Sequence, residues 1–296
     1  MHISRIGFVG LGIMGSRMAA MLKQRGFDVT VFNRSRDKAE ALKAKGLKVA
    51  DSPRELAQQV DALITCVADP KALRDVTDGP NGLMAGAKAG QLIIDCSTIS
   101  VELVQELSAE WTAKGCDFLD APVTGSKAGA EKGTLVIMVG ATEAALKRAN
   151  PVLLGMGEKI IHCGPVGAGT QVKLAGNLVI AGMLQSFSEG MLLTSKAGAD
   201  PRKLIEVIQS SGFRSPYFDF KGQALLNHDF ETHFSIDLMH KDLSLFVENA
   251  SANQVPAPTA ASLKETYNLA RAAGKGGLDI TAVISVFEDL LKHRIQ

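Results

Sequence analysis

Three glycines near the N-terminus have the spacing of a phosphate-binding turn. The segment GFVGLGIMG places Gly10, Gly12 and Gly15 between an apolar run and a helical pattern. In a strand–turn–helix context, Gly10 permits the tight turn, Gly12 lets a pyrophosphate approach the backbone, and Gly15 lets helix and strand pack closely. The free N–H groups at the start of the helix then face the anion. We therefore expect this turn to bind a dinucleotide, through contacts that also include Leu11, Ile13 and Met14.

The end of the next strand-like run favours NADP over NAD. NAD-binding units usually carry Asp or Glu about 20 residues after the turn, where the carboxylate bonds the adenosine ribose. Here the run DVTVF is followed by Asn33, Arg34 and Ser35. No carboxylate stands there to repel a 2′-phosphate, and Arg34 and Ser35 both offer it hydrogen-bond donors. The alternative is that Arg34 and Arg36 are solvated and Ser35 caps a helix; we predict NADP(H).

Two further loops carry hydroxyl side chains after apolar runs. Ser97 and Thr98 follow QLIIDC, at the C-terminal end of a predicted parallel strand, where ligands bind in such sheets. Thr124-Gly125-Ser126 follows FLDAPV, and a small turn of this kind can present backbone N–H groups to a carboxylate. An ordinary turn that caps a helix is an equally good interpretation of the second loop.

A lysine and an asparagine in the second half could move a proton. In GTQVKLAGN, Lys173 and Asn177 are four residues apart and share one helical face. Apolar neighbours such as Val172 and Leu174 are expected to lower the pKa of the lysine, which suits proton transfer near neutral pH. Asn177 could bind the same substrate oxygen or orient the lysine. The alternative is a lysine whose head group reaches water.

Other polar residues indicate no second chemistry. Lys241 and Asp242, in the late segment HKDL, are interpreted as a solvated helix face. His233 and His240 have no HExxH pattern and no clustered Cys or carboxylate around them, so no metal site is predicted. A Ser-His-Asp hydrolase is unsupported because no G-x-S-x-G elbow is present.

Composition is that of a globular protein with a sizeable core. Of 296 residues, 46% are hydrophobic and 21% charged, which suits two domains or one large one. The net charge of +1 and the absence of a basic stripe predict no nucleic-acid partner. Without a signal peptide or a membrane-length apolar run, we expect a soluble cytoplasmic protein with no membrane partner. Widely spaced cysteines without a CxxC pair are expected to be reduced, namely Cys66, Cys96, Cys116 and Cys163.

Strand-like and helical patterns alternate through the first half of the chain. Strands are predicted at Arg5–Gly10, Asp28–Asn33 and the runs ALITCVA, QLIIDCS, FLDAPV and LVIMVG. Helices are predicted at Met14–Arg25, Ser35–Lys45 and Val101–Lys114. This alternation predicts βαβ units and a parallel sheet that helices cover on both faces.

After IIHCG the alternation stops. Gly167–Gly198 has a helical pattern close to thirty residues long, and the segments after it are helical too. The predicted fold is α/β: a Rossmann-type doubly wound sheet, then a long connecting helix and an all-α C-terminal domain. We expect the NADP-binding domain to span residues 1–165, and the helical substrate and oligomerisation domain, which begins with the long helix, to span residues 166–296.

Together these motifs resemble the β-hydroxyacid dehydrogenase family. GFVGLGIMGSRMA, DCSTI, DAPVTGS, GTQVKLAGN and HKDL occur in the family's order, over essentially the whole chain. The resemblance implies that Lys173 is the catalytic general acid and that Asn177 assists it. It also implies that the Thr124–Ser126 turn holds the substrate carboxylate. Thr98 would contact the cofactor near the nicotinamide, and Lys241 would reach the cofactor as well.

Two short segments are most similar to one branch of this family. Asn33-Arg34-Ser35 and Gly125-Ser126-Lys127 resemble the NADPH-dependent glyoxylate/succinic semialdehyde reductases, whereas other branches more often have Asp after the second strand. Thr124 stands where many relatives have Ser, which leaves the substrate size open. The resemblance implies reduction of a small carboxylate-bearing aldehyde to the hydroxyacid with NADP(H). Because helical domains of this kind often bury apolar faces between subunits, we expect a homodimer or homotetramer. The alternatives are an NAD(P)-dependent 3-hydroxyacid dehydrogenase and a catalytically silent NADP-binding interaction module.

Overall fold

The computed structural model describes residues 3–295 of the chain. They divide into two compact units, residues 3–173 and residues 174–295. The division falls inside the long helix predicted from the sequence, which spans Ala168–Lys196. The first unit is α/β and the second is helical, so the predicted fold class is confirmed.

A nine-stranded sheet organises the first unit. Its strands within residues 3–295 are β1 (Arg5–Val9), β2 (Asp28–Phe32), β3 (Lys48–Val49), β4 (Ala62–Thr65), β5 (Leu92–Asp95), β6 (Asp117–Asp120), β7 (Val123–Thr124), β8 (Leu135–Gly140) and β9 (Gly157–Gly164). The order is β3-β2-β1-β4-β5-β6-β8-β7, with β9 beside β8. From β3 to β6 all neighbours are parallel, so the carboxyl ends of these strands meet at one edge.

Helices connect the strands of this sheet. Those of the first unit are α1 (Gly15–Gln24), α2 (Arg36–Glu40), α3 (Pro53–Gln59), α4 (Pro70–Thr77), α5 (Leu83–Gly86), α6 (Val101–Ala113), α7 (Ser126–Lys132) and α8 (Glu143–Leu154). Side chains of β4 alternate between two separate cores: Ala62 and Ile64 belong to one, and Leu63 to the other. Helices α1 and α8 contribute to the first core, and α3 and α6 to the second. The sheet is therefore covered on both faces, as its apolar strands predicted.

The sheet is not parallel throughout, which corrects the expectation from the sequence. The run FLDAPV forms β6 and β7, separated by Ala121 and Pro122, and β8 pairs antiparallel with both. A parallel crossover needs a dozen or more residues, usually an α-helix. The link between Thr124 and Leu135 holds only the short α7, so the chain returns in the opposite direction.

The helix predicted over Ser35–Lys45 is also shorter than expected. It ends as α2 at Glu40, and a 3₁₀ turn over Lys43–Lys45 follows. Leu42 and Leu47 on either side of this turn are both buried in the first core. The tighter turn lets both leucines reach that core, which one straight helix would not allow.

The second unit is built from helices around one core. They are the C-terminal part of α9 (Ala168–Lys196), then α10 (Pro201–Gln209), α11 (Pro216–Leu226), α12 (Ile236–Ala252), α13 (Pro258–Ala272) and α14 (Ile284–Leu291), with a 3₁₀ helix over Ile280–Val283. A buried ion pair joins Lys221 of α11 to Asp279, at 2.7 Å. Asp279 also accepts the N–H groups of His233 and Phe234, and so fixes the segment that leads into α12.

Candidate active site

Two glycines of the N-terminal turn are required by the packing of the chain itself. Gly10 has a φ of +94°, and a Cβ there would overlap the carbonyl oxygen of Cys66. A Cβ on Gly15 would overlap the carbonyl oxygen of Gly10. Helix α1 therefore approaches the turn this closely only because both residues lack a side chain.

Gly12 is different, because the chain leaves room for a side chain there. A Cβ on Gly12 would meet no described atom within 4 Å. Within residues 3–295, the N–H groups of Gly12, Ile13 and Met14 donate no hydrogen bond. They lie at the N-terminal end of α1, where the helix dipole favours an anion. A pyrophosphate fits this cradle, and its close approach to the backbone explains a glycine that packing does not require.

The end of β2 holds the turn in place and presents one unpaired cation. The Asn33 Oδ1 atom accepts the Leu11 N–H at 2.9 Å, which ties the strand end to the turn. Arg36 is paired with Glu40 and Asp51, at 3.1 and 2.6 Å. Arg34 is exposed and, in the described part of the chain, has no carboxylate within ion-pair distance. The charge available at this position therefore belongs to Arg34.

Ser35 occupies the position before α2 without capping it. Its backbone is extended, and its hydroxyl makes no capping hydrogen bond to the helix. The residue is exposed. Its hydroxyl thus lies beside Arg34 and is not used by α2.

The predicted residues at the end of β5 occupy different environments. Ser97 is buried, and its Oγ accepts the Val67 N–H at 3.0 Å, which joins the loops after β4 and β5. Thr98 is partly exposed. Below them, Asp95 Oδ1 accepts the Thr65 hydroxyl at 2.7 Å and the Ser97 N–H at 3.1 Å. Burial raises the pKa of Asp95.

The Thr124–Ser126 turn lies on the surface of the first unit. Thr124 ends β7, and all three residues of the turn are exposed. Gly125 has a φ of +135° and Ser126 of +61°, and α7 begins at Ser126. Within residues 3–295, neither hydroxyl of the turn has a hydrogen-bond partner. Two hydroxyl groups and the start of a helix are therefore presented together to solvent.

Lys173 and Asn177 lie one turn apart on α9. Lys173 is partly exposed. Of its two sequence neighbours, Val172 is 45% exposed and Leu174 is buried. Because adjacent residues of a helix point in different directions, these two neighbours do not define the surroundings of the lysine, and its lowered pKa stays a prediction. Asn177 is buried, and its Nδ2 donates to Asp242 Oδ2 at 2.5 Å.

The interpretation of Lys241 and Asp242 as a solvated face is wrong. Asp242 is 2% exposed, and Lys241 Nζ lies 2.8 Å from its Oδ1. Asp242 thus joins Asn177 and Lys241 inside the second unit. Helical spacing could have shown this, because Met239 and Leu243 on the buried stripe of α12 place Asp242 on the same side.

None of the four cysteines forms a disulfide. Within residues 3–295, no group of three or more His, Cys, Asp or Glu side chains is placed to hold a metal ion. No helix in this part of the chain combines the length and the apolar character needed to cross a membrane.

The doubly wound sheet and the anion cradle before α1 define a dinucleotide-binding domain of the Rossmann type. Residues 5–164 match the family model described as the NAD binding domain of 6-phosphogluconate dehydrogenase. Residues 167–287 match the model described as NAD-binding of NADP-dependent 3-hydroxyisobutyrate dehydrogenase. The chain belongs to the β-hydroxyacid dehydrogenase family, as its motifs indicated.

Individual proteins are similar over almost the whole chain. A 2-(hydroxymethyl)glutarate dehydrogenase of Eubacterium barkeri is 36% identical, over 97% of this chain and 95% of that protein. Glyoxylate/succinic semialdehyde reductase 2, chloroplastic, of Arabidopsis thaliana is 36% identical, over 96% of this chain and 79% of that protein. A solved structure of Mycobacterium tuberculosis 3-hydroxyisobutyrate dehydrogenase with L-serine has a TM-score of 0.88 and 34% identity, over 97% of this chain and 99% of that chain.

Proposed function

We propose that the protein reduces a small aldehyde acid to the hydroxyacid with NADPH, and that Lys173 is the general acid. The observation that carries this proposal is the arrangement on α9. Lys173 lies one turn before Asn177, and the Asn177 amide is held at 2.5 Å by the buried carboxylate of Asp242. A fixed amide beside a lysine can orient the ammonium group or bind the same substrate oxygen.

The proposed reaction needs one proton from the protein. Bound NADPH would supply the hydride, from C4 of its nicotinamide to the carbonyl carbon. The Lys173 ammonium donates a proton to the oxygen that becomes the hydroxyl, and the neutral lysine then takes up a new proton from solvent. In the reverse direction, neutral Lys173 accepts the hydroxyl proton. General acid catalysis by a positioned side chain contributes about 10²–10⁴-fold in rate.

The substrate carboxylate is proposed to bind at the Thr124–Ser126 turn. The Thr124 and Ser126 hydroxyl groups of this turn are exposed and have no hydrogen-bond partner among residues 3–295. Helix α7 starts at the same turn. Holding the carboxylate fixes which face of the carbonyl meets the nicotinamide. Such positioning lowers the barrier because the reactants are already oriented.

NADP(H) is the proposed cofactor. Arg34 and Ser35 are exposed, with neither the guanidinium nor the hydroxyl engaged by the described chain, whereas Arg36 is neutralised by two carboxylates. The family model that matches residues 167–287 is named for an NADP-dependent 3-hydroxyisobutyrate dehydrogenase, which supports the same choice. Thr98 and Lys241 are proposed to contact the cofactor, as the family resemblance implies. Ser97 is proposed to shape the loop that holds it.

Succinic semialdehyde and glyoxylate are the proposed substrates. The Arabidopsis relative is named for both compounds. The second candidate function is oxidation of a 3-hydroxyacid, which the similarity to the M. tuberculosis 3-hydroxyisobutyrate dehydrogenase favours. We propose a cytoplasmic homodimer or homotetramer, because the second unit exposes large apolar side chains, among them Leu193 and Leu290 at 71% and 73%.

The test is consumption of NADPH and NADH by the purified protein with each aldehyde acid. We expect rapid turnover with NADPH, and loss of most of that turnover in Lys173→Ala. Turnover mainly with NADH would contradict the phosphate site at Arg34 and favour the 3-hydroxyacid dehydrogenase. If Lys173→Ala kept turnover within about tenfold of the wild type, the general-acid role would be wrong.

A further inference from the structure

Asp120, at the end of β6, is a fully buried carboxylate outside the residues already assigned. Its two oxygens each accept one backbone N–H: Oδ1 from Gly167 and Oδ2 from Thr170, both at 2.7 Å. Most N–H···O bonds measure about 2.9–3.0 Å, and shorter ones are typical of an ionised acceptor. Both contacts lie within the first unit.

These two N–H groups belong to the start of α9. The first N–H groups of a helix have no partner inside it, and the residue before the helix usually caps them with a side-chain oxygen. The residue before α9 is Gly167, which has no side chain. Asp120 supplies the missing oxygens from the sheet, and its charge also complements the positive end of the helix dipole.

The space around this carboxylate is closed by two glycines. A Cβ on Gly169 would lie 2.9 Å from Asp120 Oδ2 and 2.5 Å from the carbonyl oxygen of Met138. A Cβ on Gly140 would overlap Asp120 Oδ1. The carboxylate is thus held between the sheet and the first turn of α9, and neither side leaves room for it to move.

This contact connects two parts of the candidate site. Thr170 lies one helical turn before Lys173 and on the same face of α9. On the other side, Asp120 is followed by Ala121 and Pro122, which lead into β7 and the turn that begins at Thr124. A shift of the cap therefore displaces the lysine relative to that turn.

We propose that Asp120 is a positioning residue, which caps α9 and thereby sets the place of Lys173 relative to the Thr124–Ser126 turn. The proposal rests on the proposed function of Lys173. Both carboxylate oxygens of Asp120 are occupied by backbone N–H groups, so the residue acts through the helix and does not touch the substrate.

The test is Asp120→Asn, which keeps the size and removes the charge. The amide turns one acceptor into a donor that faces a backbone N–H, so the start of α9 loosens. We expect faster hydrogen exchange at amides 167–173, and a kcat at least about tenfold lower. The pH profile of kcat should shift, and the isotope effect with C4-deuterated NADPH should increase. NADPH affinity should not change, because the cradle before α1 is untouched.

Thr142→Ala is the matched control. Thr142 Oγ1 accepts the Ala145 N–H at 3.2 Å and caps α8 in the same unit. This variant should lower the unfolding temperature but leave kcat per NADPH site, its pH profile and the isotope effect unchanged. If Asp120→Asn behaved in the same way, Asp120 would be merely structural and the proposal overturned.

Asp120→Glu keeps the experiment decisive if the Asn variant does not fold. Glu retains the charge, but the space closed by Gly140 and Gly169 does not let its longer side chain keep both oxygens on the two N–H groups. It should show the same changes, and wild-type kinetics for Asp120→Glu would overturn the proposal. Lys173→Ala separates the two proposals. If it stays active, the proposed function fails; if it is inactive while the Asp120 variants keep wild-type kinetics, only the positioning role fails.

Discussion

At the scale of single residues, the N-terminal turn contains two glycines that folding requires and a third that a ligand requires. Gly10 and Gly15 have backbone oxygens where a Cβ would lie, whereas Gly12 has open space. Stability and cofactor binding should therefore respond differently to the same substitution at neighbouring positions.

Gly12→Ala should leave the free energy of unfolding nearly unchanged but weaken NADPH binding. The added methyl group meets no protein atom within 4 Å, yet it stands where the pyrophosphate approaches the backbone. We expect a Kd for NADPH at least about tenfold higher, equivalent to about 1.4 kcal/mol. Thermal unfolding without cofactor and a fluorescence titration with NADPH measure the two effects.

Gly15→Ala is the control for this pair. Its methyl group overlaps the Gly10 carbonyl oxygen, and crowding of this kind costs about 1–3 kcal/mol or more. If Gly12→Ala lost as much stability as Gly15→Ala and bound NADPH normally, the cradle would not be the pyrophosphate site.

Arg34 and Arg36 offer a second comparison between neighbours. Arg34→Ala should reduce the preference for NADPH over NADH about tenfold or more, because a hydrogen bond to a charged group contributes about 1.5–3 kcal/mol. Arg36→Ala should leave the preference unchanged, because Glu40 and Asp51 already pair with that guanidinium. The ratio of kcat/KM for the two cofactors measures it. If both variants lost the preference for NADPH equally, the cause would be a general effect of positive charge and not a contact made by Arg34.

At the scale of elements, the ends of β5 and β6 place two buried aspartates side by side. Asp95 and Asp120 are paired in the parallel register. Asp120 has two backbone N–H partners, whereas Asp95 Oδ2 is buried without a partner among residues 3–295. Burial raises the pKa of both carboxyl groups.

Asp95→Asn should stabilise the protein increasingly as pH rises. A raised folded-state pKa means that the unfolded chain loses this proton first, so wild-type stability falls as pH rises from about the ordinary value of 3.8 through the folded pKa. The amide keeps the acceptor for Thr65 and removes the charge. Unfolding in urea near the ordinary pKa, at pH 4, and at pH 8 should show the larger gain in the free energy of unfolding at pH 8.

Asp61→Asn provides a control of opposite sign. The bond from Arg5 holds the pKa of Asp61 well below its usual range, so ionised Asp61 adds stability above that range and loses it in acid. This variant should therefore be less stable than the wild type at both pH values. A gain for Asp61→Asn, or a gain for Asp95→Asn that does not depend on pH, would contradict this account.

The sequence predicts those elements whose signal is local. Strand β1, the glycine turn and α9 were all predicted because alternation, spacing and helical periodicity lie within one segment. The predicted parallel direction of β8 was wrong, because an apolar run does not show which way a buried strand runs. The contacts of Asp120 and Asp242 were missed, because their partners, at Gly167, Thr170 and Asn177, are far away in the chain.

At the scale of the whole molecule, α9 is shared by two units with separate cores. The helix begins at Ala168 in the first unit and ends at Lys196 in the second. Trp111, the single tryptophan, is buried in the first unit. Its fluorescence reports on that unit, while far-ultraviolet circular dichroism follows the helices of both.

Gly182→Ala in the second unit should stabilise both units through this helix. A Cβ there lies 3.8 Å from Leu263 Cδ1, an ordinary contact, and replacing a helical glycine by alanine contributes about 1 kcal/mol. Gly190→Ala should increase the free energy of unfolding by less, because its Cβ comes within 3.1 Å of Leu204 Cδ2. The i→i−4 hydrogen bonds of α9 cross the boundary between Lys173 and Leu174, so melting of one half of the helix weakens the end of the other half. We therefore expect the Trp111 and circular dichroism transitions to shift together at fixed protein concentration. A shift of the dichroism transition alone would mean that the two units unfold independently.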